Sequence, residues 1–239
     1  MIKVNYKLIL VFLLLLFFAT LNSLKADVKF SVSEKEFNFG IVSQQALINN
    51  SFWIKSTGTD TLRITNVDPG CGCTKTPLGD SILAPGDSTL LRVFYNTRRF
   101  RGHVIKKPSF KTNASDEKVI LKIFSEPIAN PEEMKPVQII PFKVDISQFS
   151  ERPRKKSSFT IYNSGKIDFD LKLIKISSEF FDVELPEKLP AGEKVKGRVI
   201  LHEDAIEQEF EDSFTIEIND DFMTRFTLPV KRIYRIKKK

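Results

Sequence analysis

Ile48-Asn49-Asn50-Ser51-Phe52-Trp53-Ile54-Lys55 decides the reading of the fold, because apolar and polar residues alternate along its second half and β-branched or aromatic side chains carry the apolar positions. In a strand this puts Phe52 and Ile54 on one face and Trp53 and Lys55 on the other. Outward from it, residues 62–67, 89–95 and 118–124 show the same pattern, and a further candidate strand spans about 103–110, with Pro108 at an edge or bulge. No segment of helical period competes with these.

The same order of elements then recurs. Ser51-Phe52-Trp53-Ile54 with Thr57-Gly58 matches Ser158-Phe159-Thr160-Ile161 with Ser164-Gly165 at an offset of 107. Leu83-Ala84-Pro85-Gly86-Asp87 matches Leu189-Pro190-Ala191-Gly192-Glu193, and Asn113 matches Asn219, both at an offset of 106. Matches in register across a one-residue gap indicate tandem copies of one domain. Residues 126–136 carry Pro127, Pro131 and Pro136, which cannot donate ladder hydrogen bonds and favour an extended connector. The expected architecture is all-β: two tandem immunoglobulin-like β-sandwiches, residues 27–129 and 130–239, after a signal segment at 1–26.

That first segment has the form of an export signal. Lys3 and Lys7 precede an apolar run from Leu8 to Leu21, too short for a comfortable membrane span, and Ala26 offers a small residue at the cleavage point. An uncleaved N-terminal anchor is the alternative. Lys3, Lys7 and Lys25 lie in this segment and no acid does, so cleavage takes the formal charge from +7 to +4. The expected location is the periplasm or outer envelope of a bacterium.

With 2 Cys and 2 His in 239 residues, the chain is neither a scaffold of several disulfides nor a host for a multi-histidine metal site. The chemistry-bearing element is Cys71-Gly72-Cys73-Thr74, which follows the turn residues Asp68-Pro69-Gly70. Gly70 and Gly72 allow tight backbone conformations that bring both sulfurs to one side of a loop. The matching place in the second copy is Ser177-Ser178-Glu179, so this chemistry belongs to the first copy alone.

Glu36-Phe37-Asn38-Phe39-Gly40-Ile41-Val42, the Ser56-Thr57-Gly58 turn, Asn66-Val67 leading into the cysteine motif, Ala84-Pro85-Gly86-Asp87 and Lys111-Thr112-Asn113 together resemble the bacterial family called domain of unknown function 1573, over about residues 30–125. The resemblance implies an exported immunoglobulin-like sandwich, related to the domains of Hydin-type proteins, in a family common among Bacteroidetes and Planctomycetes. It implies no known activity. The second copy departs from the family at the Phe-Gly and cysteine motifs.

Four roles for Cys71 and Cys73 stand open: a local disulfide closing a very short ring, thiolate chemistry with Lys75 as the neighbouring cation, a soft-metal site needing further ligands such as His103, and a purely structural loop. His103 and His202 lie in different copies. Basic stretches at 98–107 (Arg98, Arg99, Arg101), 152–156 and 231–239 suit an acidic partner, an anionic membrane face or simple solvated edges. The acids between Glu203 and Asp221 read as solvated loops and edges, or as cation ligands without calcium-loop spacing. Asn49 and Asn113 satisfy the glycosylation pattern. Trp53 belongs to the core or, if exposed, is a contact anchor.

These readings favour a non-catalytic exported envelope protein that binds or scaffolds a protein partner, with Trp53, Arg98, Arg99 and Arg101 as contact candidates. No cofactor and no nucleic acid are expected, and membrane association would run through the N-terminal segment or the basic tail. The alternative is a thiol-redox or soft-metal protein using Cys71 and Cys73; a third possibility is adhesion or glycan binding. Intact-mass measurement of the mature protein should show a chain beginning at Asp27, and a mass retaining residues 1–26 would establish the anchor instead.

Overall fold

The computed structural model describes residues 26–235, so the expected export segment, apart from Ala26, and the basic residues Lys237 to Lys239 lie outside the described residues. The first half of the chain forms β1 (Phe30–Val32), β2 (Glu36–Ser43), β3 (Leu47–Ser56), β4 (Leu62–Asp68), β5 (Thr74–Lys75), β6 (Ile82–Leu83), β7 (Ser88–Asn96), β8 (Val104–Lys106), β9 (Ser109–Thr112), β10 (Ser115–Ile120) and β11 (Lys122–Ile128). The second half forms β12 (Val137–Ile140), β13 (Val144–Asp145), β14 (Lys156–Asn163), β15 (Phe169–Ile176), β16 (Phe181–Glu184), β17 (Lys188–Leu189), β18 (Lys194–Leu201), β19 (Phe210–Ile218) and β20 (Arg225–Arg232). Two single-turn 3-10 segments, Pro131–Glu133 and Glu203–Ala205, complete the described elements. The fold is all-β and immunoglobulin-like.

Alternation along the strands builds the interior. Phe52 and Ile54 of β3 and Leu91, Val93 and Tyr95 of β7 have no exposed surface, while Trp53 is 52% exposed on the opposite face. The apolar interior divides into two clusters, one drawn from between Phe37 and Ile123 and the other from between Val137 and Val230. Matched turns close both halves. Asp87 N–H donates to the Ala84 carbonyl and Glu193 N–H to the Pro190 carbonyl, with left-handed Gly86 and Gly192 between. Asn113 Oδ1 accepts from Arg63 N–H at 2.8 Å, and Asn219 Oδ1 accepts from Asp170 N–H in the same way.

Two expected strands are each divided. The 103–110 stretch is broken at Lys107-Pro108 into β8, which pairs with β11, and β9, which pairs with β4 and β10. The 118–124 stretch breaks at Leu121 into β10 and β11, again in different sheets. The two breaks bond to each other, Leu121 N–H donating to the Pro108 carbonyl at 2.9 Å. Alternation survives such a crossover because both strands face the same core, which hides the break from a periodicity reading.

The expected connector is also shorter than its prolines suggest. Glu126, Pro127 and Ile128 belong to β11 and lie parallel to Ile41, Val42 and Ser43 of β2. Pro127 falls beyond the last β8 pair, where a missing N–H is tolerated.

The halves share a sheet. In the order β17-β15-β19-β20-β2-β11-β8, β20 of the second half lies parallel to β2 of the first, with Ile41 opposite Phe226 and Val42 opposite Thr227. Ile41 packs on the second apolar cluster and Ile174 on the first, so each half lends a side chain to the other's core. Both are half-buried, so each contributes less than the roughly 1.5–3 kcal/mol of a fully buried isoleucine. Thr227 Oγ1 donates to the Phe39 carbonyl at 2.7 Å, and the Arg225 guanidinium reaches the Asn38 carbonyl at 3.3 Å while bonding Glu217 at 2.7 Å.

Gly40 makes this approach possible. Its φ is +64°, its N–H donates to Asn38 Oδ1, and a Cβ there would lie 2.2 Å from the Arg225 carbonyl oxygen. Gly86, at φ +92°, has open space where its Cβ would be. Gly40→Ala therefore combines backbone strain with a backbone clash and should lose about 3 kcal/mol, whereas Gly86→Ala should lose about 1 kcal/mol. Urea denaturation distinguishes them; equal losses would show that the close approach imposes no constraint.

Candidate functional site

The cysteine motif is a disulfide-closed turn. Asp68 Oδ1 accepts the Gly70 N–H at 2.8 Å, Gly70 takes φ +76°, and the chain doubles back so that Cys71 and Cys73 are joined with a Cα–Cα distance of 5.3 Å. The Thr74 hydroxyl lies on the Pro69 and Cys71 carbonyls, which pins the exit of the turn. Cys73 is buried in the first apolar cluster and Cys71 packs against it half-buried. Of the four roles open to the pair, this state is the local disulfide, in which neither sulfur is a thiolate available to a metal.

Arg98 holds the turn from outside. Its guanidinium donates to the Gly72 carbonyl at 2.7 Å, its φ is +44°, and its carbonyl accepts the N–H of Gln45, itself at φ +53°. Non-glycine residues in the left-handed region each store backbone strain, and these two are bonded to one another. Arg99 and Arg101 are exposed beside them.

A cleft of about 680 Å³ opens between this turn and the second half of the chain. Leu47 and Phe94 line it, with Cys73, Pro77 and Arg98 on the turn side and Glu211 of β19 opposite. A smaller cavity of about 340 Å³, lined in part by Lys143, Asp145 and Val230, shares Leu47 and Glu211 with it. The register of β3 and β7 sets Trp53 opposite Leu90, Ser51 opposite Arg92 and Asn49 opposite Phe94. With the intervening residues buried inward, Trp53, Leu90, Arg92 and Phe94 share the outer face that runs into the cleft.

A buried polar joint crosses that face. Arg92 bonds Asp212 at 2.8 Å; Asn49 Nδ2 donates to the same Asp212 oxygen at 3.0 Å and to the Ser177 carbonyl at 2.7 Å; and Ser213 Oγ accepts the Asn49 N–H at 3.0 Å. Nearby, Lys175 stands 3.4 Å from Glu34. Burial pushes the Asp212 carboxyl above its ordinary value, the neighbouring Ser178 and the Arg92 charge oppose that rise, Glu179 adds to it, and Asn49 again opposes it. Ser178 acts from nearby without a well-formed bond, since Asp212 Oδ2 has no hydrogen-bond partner.

Three expectations change here. Asp212, read as a solvated acid, is 2% exposed and is one end of the joint between the halves. Arg232, read as part of the basic stretch 231–239 that would meet solvent or an acidic partner, is 1% exposed, and its guanidinium bonds the Ile146 and Ile206 carbonyls and Gln148 Oε1. Asn49 has no exposed surface, so its glycosylation pattern is closed by the fold. The structure brings Arg98 to the cysteine turn and sets Trp53 on the adjoining face. His103 stands apart, exposed and 4.0 Å from Glu126, while His202 bonds Asp182 at 3.1 Å. Among the described residues no group of three or more His, Cys, Asp or Glu is placed to hold a metal ion.

Fold and site define a two-cored, immunoglobulin-like β-sandwich protein with a disulfide turn beside the junction of its halves. Residues 30–126 match the family model described as protein of unknown function (DUF1573). No curated protein matches the chain. Among solved structures it is similar to a protein of unknown function from Porphyromonas gingivalis W83, with 12% identity and a TM-score of 0.34, over 84% of this chain and 99% of that one. It is also similar to the ASH / PapD-like domain 7 of human CEP192, with 10% identity and a TM-score of 0.36, over 43% of this chain and 87% of that one. The CupB2 chaperone of Pseudomonas aeruginosa aligns with 8% identity and a TM-score of 0.28, over 83% of this chain and 98% of that one. Likenesses at these scores assign no activity.

The joint makes a signed prediction about pH. The native Asp212 carboxyl binds its proton more tightly than the unfolded chain does, so through this group falling pH favours the folded state just above the ordinary Asp value. Asp212→Asn removes that contribution. As pH falls from about 6 to about 4, stability relative to D212N should shift in favour of wild type, measured by denaturant titration. A shift in the opposite direction would contradict the assigned sign.

Proposed function

We propose that the protein is a non-catalytic module of the bacterial envelope, exported through its N-terminal segment, that binds or positions another protein. The observation that carries this reading is the outer face of β3 and β7. It displays Trp53 at 52% exposure beside Leu90 on one side of the Arg92–Asp212 joint, with Phe94 and the cleft on the other side. Exposed aromatic side chains next to a concave apolar surface are the usual anchors of protein contacts. The shared sheet supports this role because it holds both walls of the cleft without a flexible connector.

A second reading, thiol-disulfide chemistry, is favoured by one observation: the half-buried Cys71 sulfur is bonded in a turn that lines the cleft. On that reading a dithiol reductant opens the bond in the folded protein, and the mass rises by about 2 Da with the sheet signal intact.

Site-specific photo-crosslinking in the native envelope tests the binding reading. A photoreactive phenylalanine analogue at position 53 or 94 should give the same discrete protein adduct, which should be absent when the analogue replaces Phe222, 88% exposed on the β19–β20 turn. No adduct from 53 or 94, or the same adducts from 222, would overturn it.

A further inference from the structure

Resting on the binding reading above, we infer that the cleft is a docking site for an extended, acidic segment of a partner protein carrying a large apolar side chain. The disulfide turn serves it as a fixed wall.

The cleft floor is apolar, with Leu47 and Phe94 at its base and Pro77 beside them. Its ionic rim is unbalanced. Lys75 is exposed and makes no ion pair among the described residues, and Arg98 spends one guanidinium nitrogen on the Gly72 carbonyl while remaining exposed. The acid facing them, Glu211, is already paired with Lys231 at 2.7 Å. Arg99 and Arg101 continue the positive charge outward from Arg98. An occupant that neutralises this rim must bring carboxylates, and one that fills the floor must bring a bulky apolar group.

The backbone favours an extended occupant. β5 is the last strand of its sheet, paired with β7 on one side and with no strand on the other. Lys75 lies opposite Phe94 in that ladder, so the basic side chain and the apolar floor share one face of the edge. The Thr74 N–H is held by the Cys71 carbonyl at 3.2 Å, so an added strand would pair with the remaining groups of this edge and present every second side chain to the face that carries Lys75 and Phe94. The disulfide sets where this edge begins. Cys73 is anchored in the first core, its carbonyl accepts the Asn96 N–H at 2.8 Å, and Thr74 follows directly as the first residue of β5. Opening Cys71–Cys73 frees the turn that carries both Gly72, the partner of Arg98, and the start of the edge.

The probes are two fluorescein-labelled ten-residue peptides in which every second residue is threonine and the positions between alternate phenylalanine with aspartate in one peptide and with lysine in the other, so that the apolar and charged groups share one face; they are titrated against the mature protein by fluorescence polarisation. The oxidised wild type should prefer the aspartate peptide at least tenfold. K75E/R98E should reverse the preference, and C71S/C73S, checked for native sheet signal, should weaken aspartate-peptide binding at least fivefold. Equal binding of the two peptides, or a preference that survives K75E/R98E, would overturn the inference. Unweakened binding by folded C71S/C73S would overturn the role of the wall. Discrete crosslinks from positions 53 and 94 together with charge-blind peptide binding would refute this docking mode alone; absence of those crosslinks would refute the wider binding reading.

Discussion

The parallel contact of β2 with β20 at Gly40 is the constraint on which the arrangement of the halves depends. The Arg225 carbonyl occupies the space a side chain at position 40 would need, so the approach exists only because that residue is glycine. Once the strands are that close, their sheets become continuous, Ile41 and Ile174 enter each other's cores, and β3 of the first half lies against β19 of the second. The Arg92–Asp212–Asn49 joint follows from this placement. A carboxylate as buried as Asp212 is tolerable only with its partners in position, since removing one member of a buried pair costs about 3–5 kcal/mol. The ion pair therefore adds discrimination against a misplaced second half more than it adds net stability.

The cleft is a consequence of the same geometry. Its floor comes from the outer face of the β3–β7 sheet and its opposite wall from β19, so its width is set by the strand pairing some residues away rather than by loops of its own. The disulfide turn adds local rigidity on one side. Asp68, Gly70, Thr74 and Arg98 each hold a different part of that turn, which accounts physically for a Cys-Gly-Cys-Thr sequence preceded by Asp-Pro-Gly. Cys73 contributes to the core as well as to the disulfide, so the motif couples the interior of the first half to the rim of the cleft.

Much of the fold was legible because it rests on short-range patterning. Period-two alternation located β3, β4 and β7 to within a residue or two, and the Pro-Gly-Asp turn showed at position 86 and again, as Ala-Gly-Glu, at position 192. The disulfide was one of four roles the sequence left open. What escaped were features set by partners distant in sequence. Gly40 stands in a recognisable Phe-Gly motif, but nothing local says that its missing Cβ makes room for residue 225. Asp212 and Arg232 carry ordinary surface side chains, and only the folded chain places them against Arg92 and the Ile146 carbonyl. The strand breaks at Pro108 and Leu121 were hidden because the chain changes sheets without changing the core it faces. Arg98 was one of several adjacent cations until the fold singled it out by its bond to Gly72.

Native-state hydrogen exchange at the shared sheet tests the account most directly. If the β2–β20 contact makes the two halves one cooperative structure, the backbone amides of 41–42 and 226–227 that point across it, rather than toward β11 or β19, should be protected as strongly as those in the middle of the β19–β20 pairing, such as Phe214 and Leu228. Exchange of those crossing amides at loop-like rates, while both cores stay protected, would show that the halves are joined only by their connector, and would contradict it.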